Sequence, residues 1–264
     1  MQISSKVFVV TGAGSGIGRA TALQLLGRGG QVAAVDLHQE TLDALASAAR
    51  AGNRLSLHPM NVADRASVEA LPAAVISAHG QVDGLLSIAG IIQPFVAVTQ
   101  LPLESAKRIM DVNFWGTYYL DTVFLPLLVQ RPEASLVNVS SMGALVPVPG
   151  QGVYGASKAA VRLLTECLYA ELADTSVAVT LVIPGGVGTN ITTNSGVEIP
   201  EIPEGAMPKV TSAEDAATQI VDAVRDGTFR VLIGGDARKL DILGRVAPVR
   251  AITTVANRMK ALMS

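Results

Sequence analysis

Apolar positions follow two alternating patterns along the chain. Short runs of β-branched and other apolar residues at 7–10, 31–35, 54–57, 84–88, 135–139, 177–183 and 229–233 read as strands. Between them lie Ala- and Leu-rich stretches with apolar residues three and four apart, at 17–28, 39–50, 64–78, 102–130, 152–173 and 212–226, which read as helices. Several strand runs are apolar throughout instead of alternating, as a parallel sheet covered on both faces requires. Strand–helix alternation with right-handed crossovers predicts an α/β fold: a doubly wound, seven-stranded parallel sheet with helices on both faces. Thr211 and Glu214 have the spacing of a capping box, and Gly227 stands where that helix should stop.

Two regions break the rhythm. Residues 185–210 carry Pro200, Pro203, Pro208 and a polar run at 188–195, too long for an ordinary connection; 187–210 are expected to form a lid. After Gly234 and Gly235, the apolar positions Leu240, Leu243, Val246, Val249, Ile252, Val255, Met259 and Leu262 predict two amphipathic helices split at Pro248. The expected organisation is one binding and catalytic domain over 1–236, with 237–264 as its helical C-terminal extension.

Composition narrows the class. With 49% hydrophobic and 16% charged residues in 264, the chain has ample material for a core, and disorder is excluded for most of it. The single cysteine, Cys167, permits no internal disulfide and is expected to be a small core residue. The N-terminal residues lack the basic-then-apolar pattern of a signal peptide, and no apolar run is long enough to cross a membrane, so a cytoplasmic protein is expected. A net charge of −2 argues against a nucleic-acid partner. It hides an asymmetry: residues 237–264 hold six basic residues and one acid, net +5, while the remainder holds 14 basic and 21 acidic, net −7. Packing or a subunit contact is the favoured use of that tail, ahead of an anionic membrane surface.

The first strand runs into Thr11-Gly12-Ala13-Gly14-Ser15-Gly16-Ile17-Gly18 and then a helix, and Asp36 ends the second strand. Glycines let the backbone approach a pyrophosphate, and free N–H groups at the helix start favour its charge. An acid at Asp36 can accept from both ribose hydroxyls of adenosine and repels a 2′-phosphate. NAD is therefore expected over NADP, with Arg19 and Arg28 both away from the second strand's end. A methyltransferase using S-adenosylmethionine shares these features, so the second half of the chain decides.

There, Tyr154 and Lys158 stand four residues apart, on one face of the predicted helix 152–173. A phenol is a poor proton carrier at neutral pH, and an adjacent ammonium should lower its pKa. Ser141 ends the fifth strand, where doubly wound sheets open their ligand crevice, and its hydroxyl can share charge developing on a substrate oxygen. Asn113 falls inside the helix 102–130, and a polar network there would serve as a water relay to Lys158. His38, His58 and His79 lack metal-ligand spacing, so no metal is expected. Gly-x-Ser-x-Gly, the serine-hydrolase elbow, does not occur.

Taken together, these motifs resemble the short-chain dehydrogenase/reductase family, in its compact single-domain branch, over about residues 5–235. The resemblance rests on Thr11-Gly12-x-x-x-Gly16-Ile17-Gly18, Asp36, Asn61-Val62, Ala89-Gly90, Asn113, Ser140-Ser141, Tyr154-x-x-x-Lys158 and Pro184-Gly185-x-Val187-x-Thr189. It implies a Rossmann fold and a catalytic set of Asn113, Ser141, Tyr154 and Lys158. It also implies a cofactor site formed by Gly12, Ser15, Gly16, Ile17, Gly18 and Asp36 with Asn61 and Val62 around the adenine. Ala89 and Gly90 would lie along the cofactor, and Pro184, Gly185, Val187 and Thr189 near the nicotinamide, with Tyr154 and Lys158 also touching it. Similar enzymes form dimers or tetramers through the helices corresponding to 102–130 and 152–173. Two positions depart from the family's pattern: Ser87-Ile88 replaces Asn-Asn, and Asn61 replaces an acid, its amide oxygen able to take the adenine amino group.

The expected function is hydride transfer between NAD(H) and a secondary alcohol or ketone. The segments 91–95 and 142–149 are mainly aliphatic and lack Lys and Arg, so the substrate is expected to be uncharged and apolar. The competing reading from another class is a non-catalytic, NAD-responsive binding protein with the same fold.

Overall fold

A computed structural model describes residues 1–197 and 210–263, the last three without their side chains. The first strand, β1 (Val7–Thr11), is buried along its whole length and lies in the middle of the sheet. It leads through the glycine turn into α1 (Gly16–Gly27), then β2 (Gln31–Asp36), α2 (Gln39–Ala49), β3 (Leu55–Pro59), α3 (Arg65–His79) and β4 (Gly84–Ser87). The second half adds α4 (Leu103–Met110), α5 (Gly116–Leu128), β5 (Ala134–Val139), α6 (Gly152–Glu171) and β6 (Val177–Pro184). A small pair, β7 (Val187–Gly188) and β8 (Thr211–Ser212), flanks the short α7 (Ile191–Ser195). After these come α8 (Ala213–Asp226), β9 (Arg230–Ile233), α9 (Gly235–Val246) and α10 (Pro248–Met263).

The main sheet is parallel throughout, with seven strands in the order β3-β2-β1-β4-β5-β6-β9. Period-two alternation explains why apolar runs suit it. Phe8 and Val10 of β1 point into a core with Leu25, Leu42 and Ile220, while Val7 and Val9 point into the opposite core with Leu71, Phe124 and Leu168. Strand order reverses between β1 and β4, and the crevice beyond the strand ends at such a switch is where ligands bind.

Three local readings need correction. The expected continuous helix 102–130 contains a π turn, Asp111–Trp115, between α4 and α5. The wider turn sets Asn113 inward, where its side chain binds the 91 loop and α6. The cap of α8 is Ser212, whose Oγ accepts from Asp215 N at 3.0 Å, one residue later than the expected Thr211 and Glu214 pair. Cys167 is exposed, not in the core; its Sγ donates to Glu171. Gly227 closes α8 with φ +67°, as its position predicts.

The tail forms two helices meeting at Pro248. Asp241 ties α9 to the sheet edge by accepting from Arg230 at 2.7 Å and from Arg245. Ile242, Val246, Val249 and Ile252 remain exposed, and the side chain of Leu262 lies outside the described residues. Among the described residues, no helix is long and apolar enough to cross a membrane.

Candidate active site

Gly12 takes φ +68°, and a Cβ there would come within 3.0 Å of the Ala89 Cα, so the turns after β1 and β4 touch only because this residue has no side chain. A Cβ on Gly18 would collide with the Gly12 carbonyl oxygen, so α1 can start close against the turn. Ser15, at the N-cap of α1, makes no side-chain cap, leaving the first-turn N–H groups without a side-chain acceptor. Two connected lobes, cavities of about 380 and 510 Å³, open over this turn and share Gly12, Ser15, Ala89, Gly90 and Asn194.

The larger lobe runs past the end of β2. Asp36 Oδ2 accepts from Gly14 N at 2.9 Å, so the carboxylate also holds the glycine turn in shape. Asn61 and Val62 form the opposite wall. The Asn61 amide oxygen already accepts from Ala63 N at 3.0 Å, so part of the accepting capacity expected for an adenine is spent locally. Lys107 and Arg108 reach this lobe from α4, across from Asp36; Lys107 pairs with Glu104 at 3.0 Å. Sequence spacing gave no sign of them, since α4 approaches β2 only in the folded chain. Arg28 instead pairs with Asp222 at 2.7 Å.

Gly16, Ile17, Gly18, Ser141, Tyr154, Lys158, Pro184, Gly185, Val187 and Thr189 line the other lobe. Ser141 lies two residues beyond β5 and caps the following turn: its Oγ accepts from Gly143 N at 3.1 Å, which leaves the hydroxyl proton free to donate. Tyr154 stands in the first turn of α6, beside Ser141. Lys158, one turn further on, is buried and donates from Nζ to the Val139 carbonyl at 2.9 Å.

Burial dominates the ionisation of both groups. It pushes the Tyr154 phenol above its ordinary range, with the Ser141 hydrogen bond pulling the other way. It lowers Lys158 to about 8. The expected lowering of the phenol by the lysine is therefore not the net result in the protein alone: desolvation opposes the phenolate.

Asn113 lies behind the lobe, not on its wall. Its Nδ2 donates to the Ile91 carbonyl at 2.9 Å and to Ser157 Oγ at 3.0 Å, and its Oδ1 accepts from Ile91 N at 2.9 Å. Both amide donors are thus spent on bracing the 91 loop and α6. Its main-chain carbonyl accepts from Thr117 Oγ1 at 2.9 Å.

The lid region contributes α7. Asn194 Nδ2 donates to Ser15 Oγ at 2.8 Å, and Ser195 Oγ accepts from Ile92 N at 3.0 Å, so α7 bridges both banks of the cleft. Neither residue was legible in the sequence beyond its place in a polar loop. Residues 198–209 of the expected lid lie outside the described residues. Among the described residues, no group of three or more His, Cys, Asp or Glu could hold a metal ion.

Comparison with known proteins settles the family. The family model for short chain dehydrogenase matches residues 6–199. The Mycobacterium tuberculosis protein SadH is 36% identical over 250 residues, covering 91% of this chain and 90% of that one. The chain belongs to the short-chain dehydrogenases. A Burkholderia phymatum member solved with NAD superposes with a TM-score of 0.84 at 28% identity, covering 93% of this chain and 94% of that one. A Burkholderia cenocepacia member solved with NADP gives 0.82 at 26% identity, covering 97% and 99%.

In this short-chain dehydrogenase, Thr11 holds the backbone after β4, where Ser87-Ile88 stands in place of Asn-Asn. Its buried hydroxyl accepts from Ile88 N at 3.0 Å and from Ala89 N at 3.1 Å. Ser87 is buried with its Oγ unpartnered. Gly90 keeps the backbone low: a Cβ there would come within 3.1 Å of Lys158 Nζ and 3.2 Å of Asn113 Oδ1. Side-chain-free backbone at 12 and 90 and uncapped N–H groups at α1 fit a dinucleotide laid across both lobes.

Proposed function

We propose that this chain is an NAD(H)-dependent alcohol dehydrogenase or ketone reductase acting on an uncharged, fairly apolar secondary alcohol or ketone. The observation that carries the reading is the placing of Tyr154 beside Ser141, with Lys158 a turn deeper, in a lobe continuous with the glycine turn. When bound, the nicotinamide gives or takes the hydride. Tyr154 moves the hydroxyl proton, Ser141 donates to the substrate oxygen, and Lys158 holds positive charge beneath the phenol and binds a ribose hydroxyl. Gly12, Ser15, Gly16, Ile17 and Gly18 cradle the pyrophosphate. Asp36, Asn61 and Val62 hold the adenosine end, with Ala89, Gly90, Pro184, Gly185, Val187 and Thr189 along the rest.

Support for the substrate class is the wall opposite Tyr154, built from Ile92, Phe95, Met142, Val148 and Ile191. Lys158 is the one charged residue on that lobe among the described residues, and in this reading the phenol and a ribose hydroxyl occupy it. Among the described residues, that lobe holds no Arg and no second Lys to pair with a charged substrate. NAD is preferred to NADP because Asp36 occupies the strand end where a 2′-phosphate would sit. Trp115 at the end of the π turn, Tyr118 of α5, and Leu163 and Tyr169 of α6 expose apolar surface, which supports assembly as a homodimer or homotetramer.

A screen of aliphatic and alicyclic alcohols and ketones with both dinucleotides, read by reduced-nicotinamide absorbance, tests the reading. Turnover with NAD(H), abolished in Tyr154→Phe with cofactor binding retained, is the expected result. Tight NAD binding with no turnover on any substrate would replace the enzyme by a cofactor-responsive binding protein.

A further inference from the structure

Tyr154 occupies a precarious place: the first turn of a helix, where backbone N–H groups have no intrahelical acceptor. The local N-cap, Gln151, supplies no side-chain bond to that turn. A residue sixty positions upstream does. Gln93, fully buried, accepts through Oε1 from Val153 N at 2.9 Å and from Tyr154 N at 3.0 Å. Its Nε2 donates to the Gly150 carbonyl at 2.8 Å, and its own main-chain carbonyl accepts from Gln151 Nε2 at 2.7 Å. Both ends of the amide are needed, one as a double acceptor and one as a donor.

The geometry points to Gln93 as the positioning residue for Tyr154. This rests on the proton-transfer role proposed above for Tyr154. Gln93 sits between Ile92 and Phe95-bearing loop backbone that walls the same lobe, and Ile92 N is held by Ser195 of α7. The tyrosine's main chain is thereby anchored to the substrate-side loop as well as to its own helix. Lys158 is fixed independently: its Nζ binds the Val139 carbonyl, and its own carbonyl accepts from Ser140 Oγ at 2.7 Å. Loss of Gln93 should therefore disturb the phenol and spare the lysine.

Two substitutions separate positioning from bulk stability. Gln93→Leu removes the amide; Gln93→Glu keeps an acceptor for both N–H groups but sets an oxygen against the Gly150 carbonyl. In Gln93→Leu, kcat is expected to fall ~10-fold to 10²-fold, the scale of a misplacement of about 1 Å, with KM changed less than about twofold. Gln93→Glu should recover part of the lost rate. A readout independent of turnover is the ultraviolet titration of the Tyr154 phenol, isolated by subtracting Tyr154→Phe. Burial holds this phenol high, so a frayed first turn should bring its midpoint down toward the ordinary value of 10.0. An unchanged Tyr154 titration in both variants, with only the melting temperature lowered, would overturn the proposal. If Gln93→Leu does not fold, Gln93→Met, which also removes the acceptor but keeps the length of the side chain, decides by the same titration. Absence of turnover in the unsubstituted protein refutes the proposed reaction, while the titration still decides the positioning.

Discussion

Lys158 is tied to the end of β5 at both its ends, Nζ to the Val139 carbonyl at 2.9 Å and its own carbonyl to Ser140 Oγ at 2.7 Å. Such a clamp fixes an ammonium in a buried place at a cost, and that cost is why its pKa falls from 10.5 to about 8. Between those two values the folded chain binds fewer protons than the unfolded one, so this residue's contribution to stability rises with pH across the window. Lys158→Met removes the buried charge and leaves the Val139 carbonyl unpaired. The melting temperature of Lys158→Met relative to the unsubstituted protein should be highest near pH 7 and decline steadily as pH rises beyond 8. Turnover should drop by ~10²-fold or more, the usual scale for losing a member of a proton-transfer set. A melting-temperature difference that stays constant from pH 7 to about 10 contradicts the buried-charge account.

Asp36 does two jobs, and a substitution must separate them. Its Oδ2 holds Gly14 N, so truncation to alanine would loosen the glycine turn and weaken either dinucleotide. Asp36→Asn retains an acceptor for Gly14 while removing the negative charge. The ratio of NADPH to NADH dissociation constants should fall about tenfold, equivalent to ~1.4 kcal/mol. Fluorescence titration with both reduced cofactors measures this directly. An unaltered ratio would move the discrimination elsewhere, Lys107 and Arg108 on α4 being the first place to look.

The sequence made the sheet and cleft legible because their signals are local. The β1 run, the glycines after it, Asp36 at a strand end and Tyr154 with Lys158 at helical spacing each depend on near neighbours; the run lies in the core and the others fall on the cleft wall. What it hid was tertiary. Gln93 reads as one polar residue in an apolar loop, and its partners lie about sixty residues away. Asn113 reads as a polar residue free for catalysis until the fold brings Ile91 and Ser157 to both ends of its amide. Cys167 reads as a small core residue only because the sequence does not say which face of its helix meets the sheet; in the fold it faces outward.

His58 and His79 approach one hydroxyl from different elements. Ser56 Oγ lies 2.7 Å from His58 Nε2 and 2.8 Å from His79 Nε2, and Gln31 Oε1 meets His79 Nδ1 at 3.1 Å. Burial lowers both imidazoles, and His79 lowers His58 further through repulsion. A lowered folded-state pKa means that the unfolded chain takes up protons first, so stability is intact above the ordinary value of 6.5 and is lost as pH falls below it. His79→Gln keeps a partner for Ser56 and cannot charge. Its melting temperature should fall less than that of the unsubstituted protein between about pH 7 and 5. Parallel curves would show that the acid limb comes from other groups.

Asp121 titrates in the opposite sense. It is buried between α5, β5 and α6, where Asn138 Nδ2 donates to its Oδ2 at 2.9 Å and to Thr165 Oγ1 at 3.2 Å. Its Oδ1 and the Oδ1 of Asn138 are both buried without a partner. Burial raises its pKa from 3.8 to about 7, and the Asn138 bond only partly offsets that. The folded chain thus holds a proton that the unfolded chain releases, so this carboxyl favours folding most below pH 3.8, and that contribution is lost as pH rises through about 7. Asp121→Asn preserves the acceptor for Asn138 and stays neutral at every pH. At pH 8 it should therefore be the more stable protein, by an advantage that shrinks or reverses at pH 5. Melting curves at the two pH values decide. Because Asp121 lines neither lobe of the cleft, cofactor affinity should not change with it. A loss of stability in Asp121→Asn at pH 8 would mean that the buried carboxylate is ionised and held by a donor, and that burial is not what governs its charge.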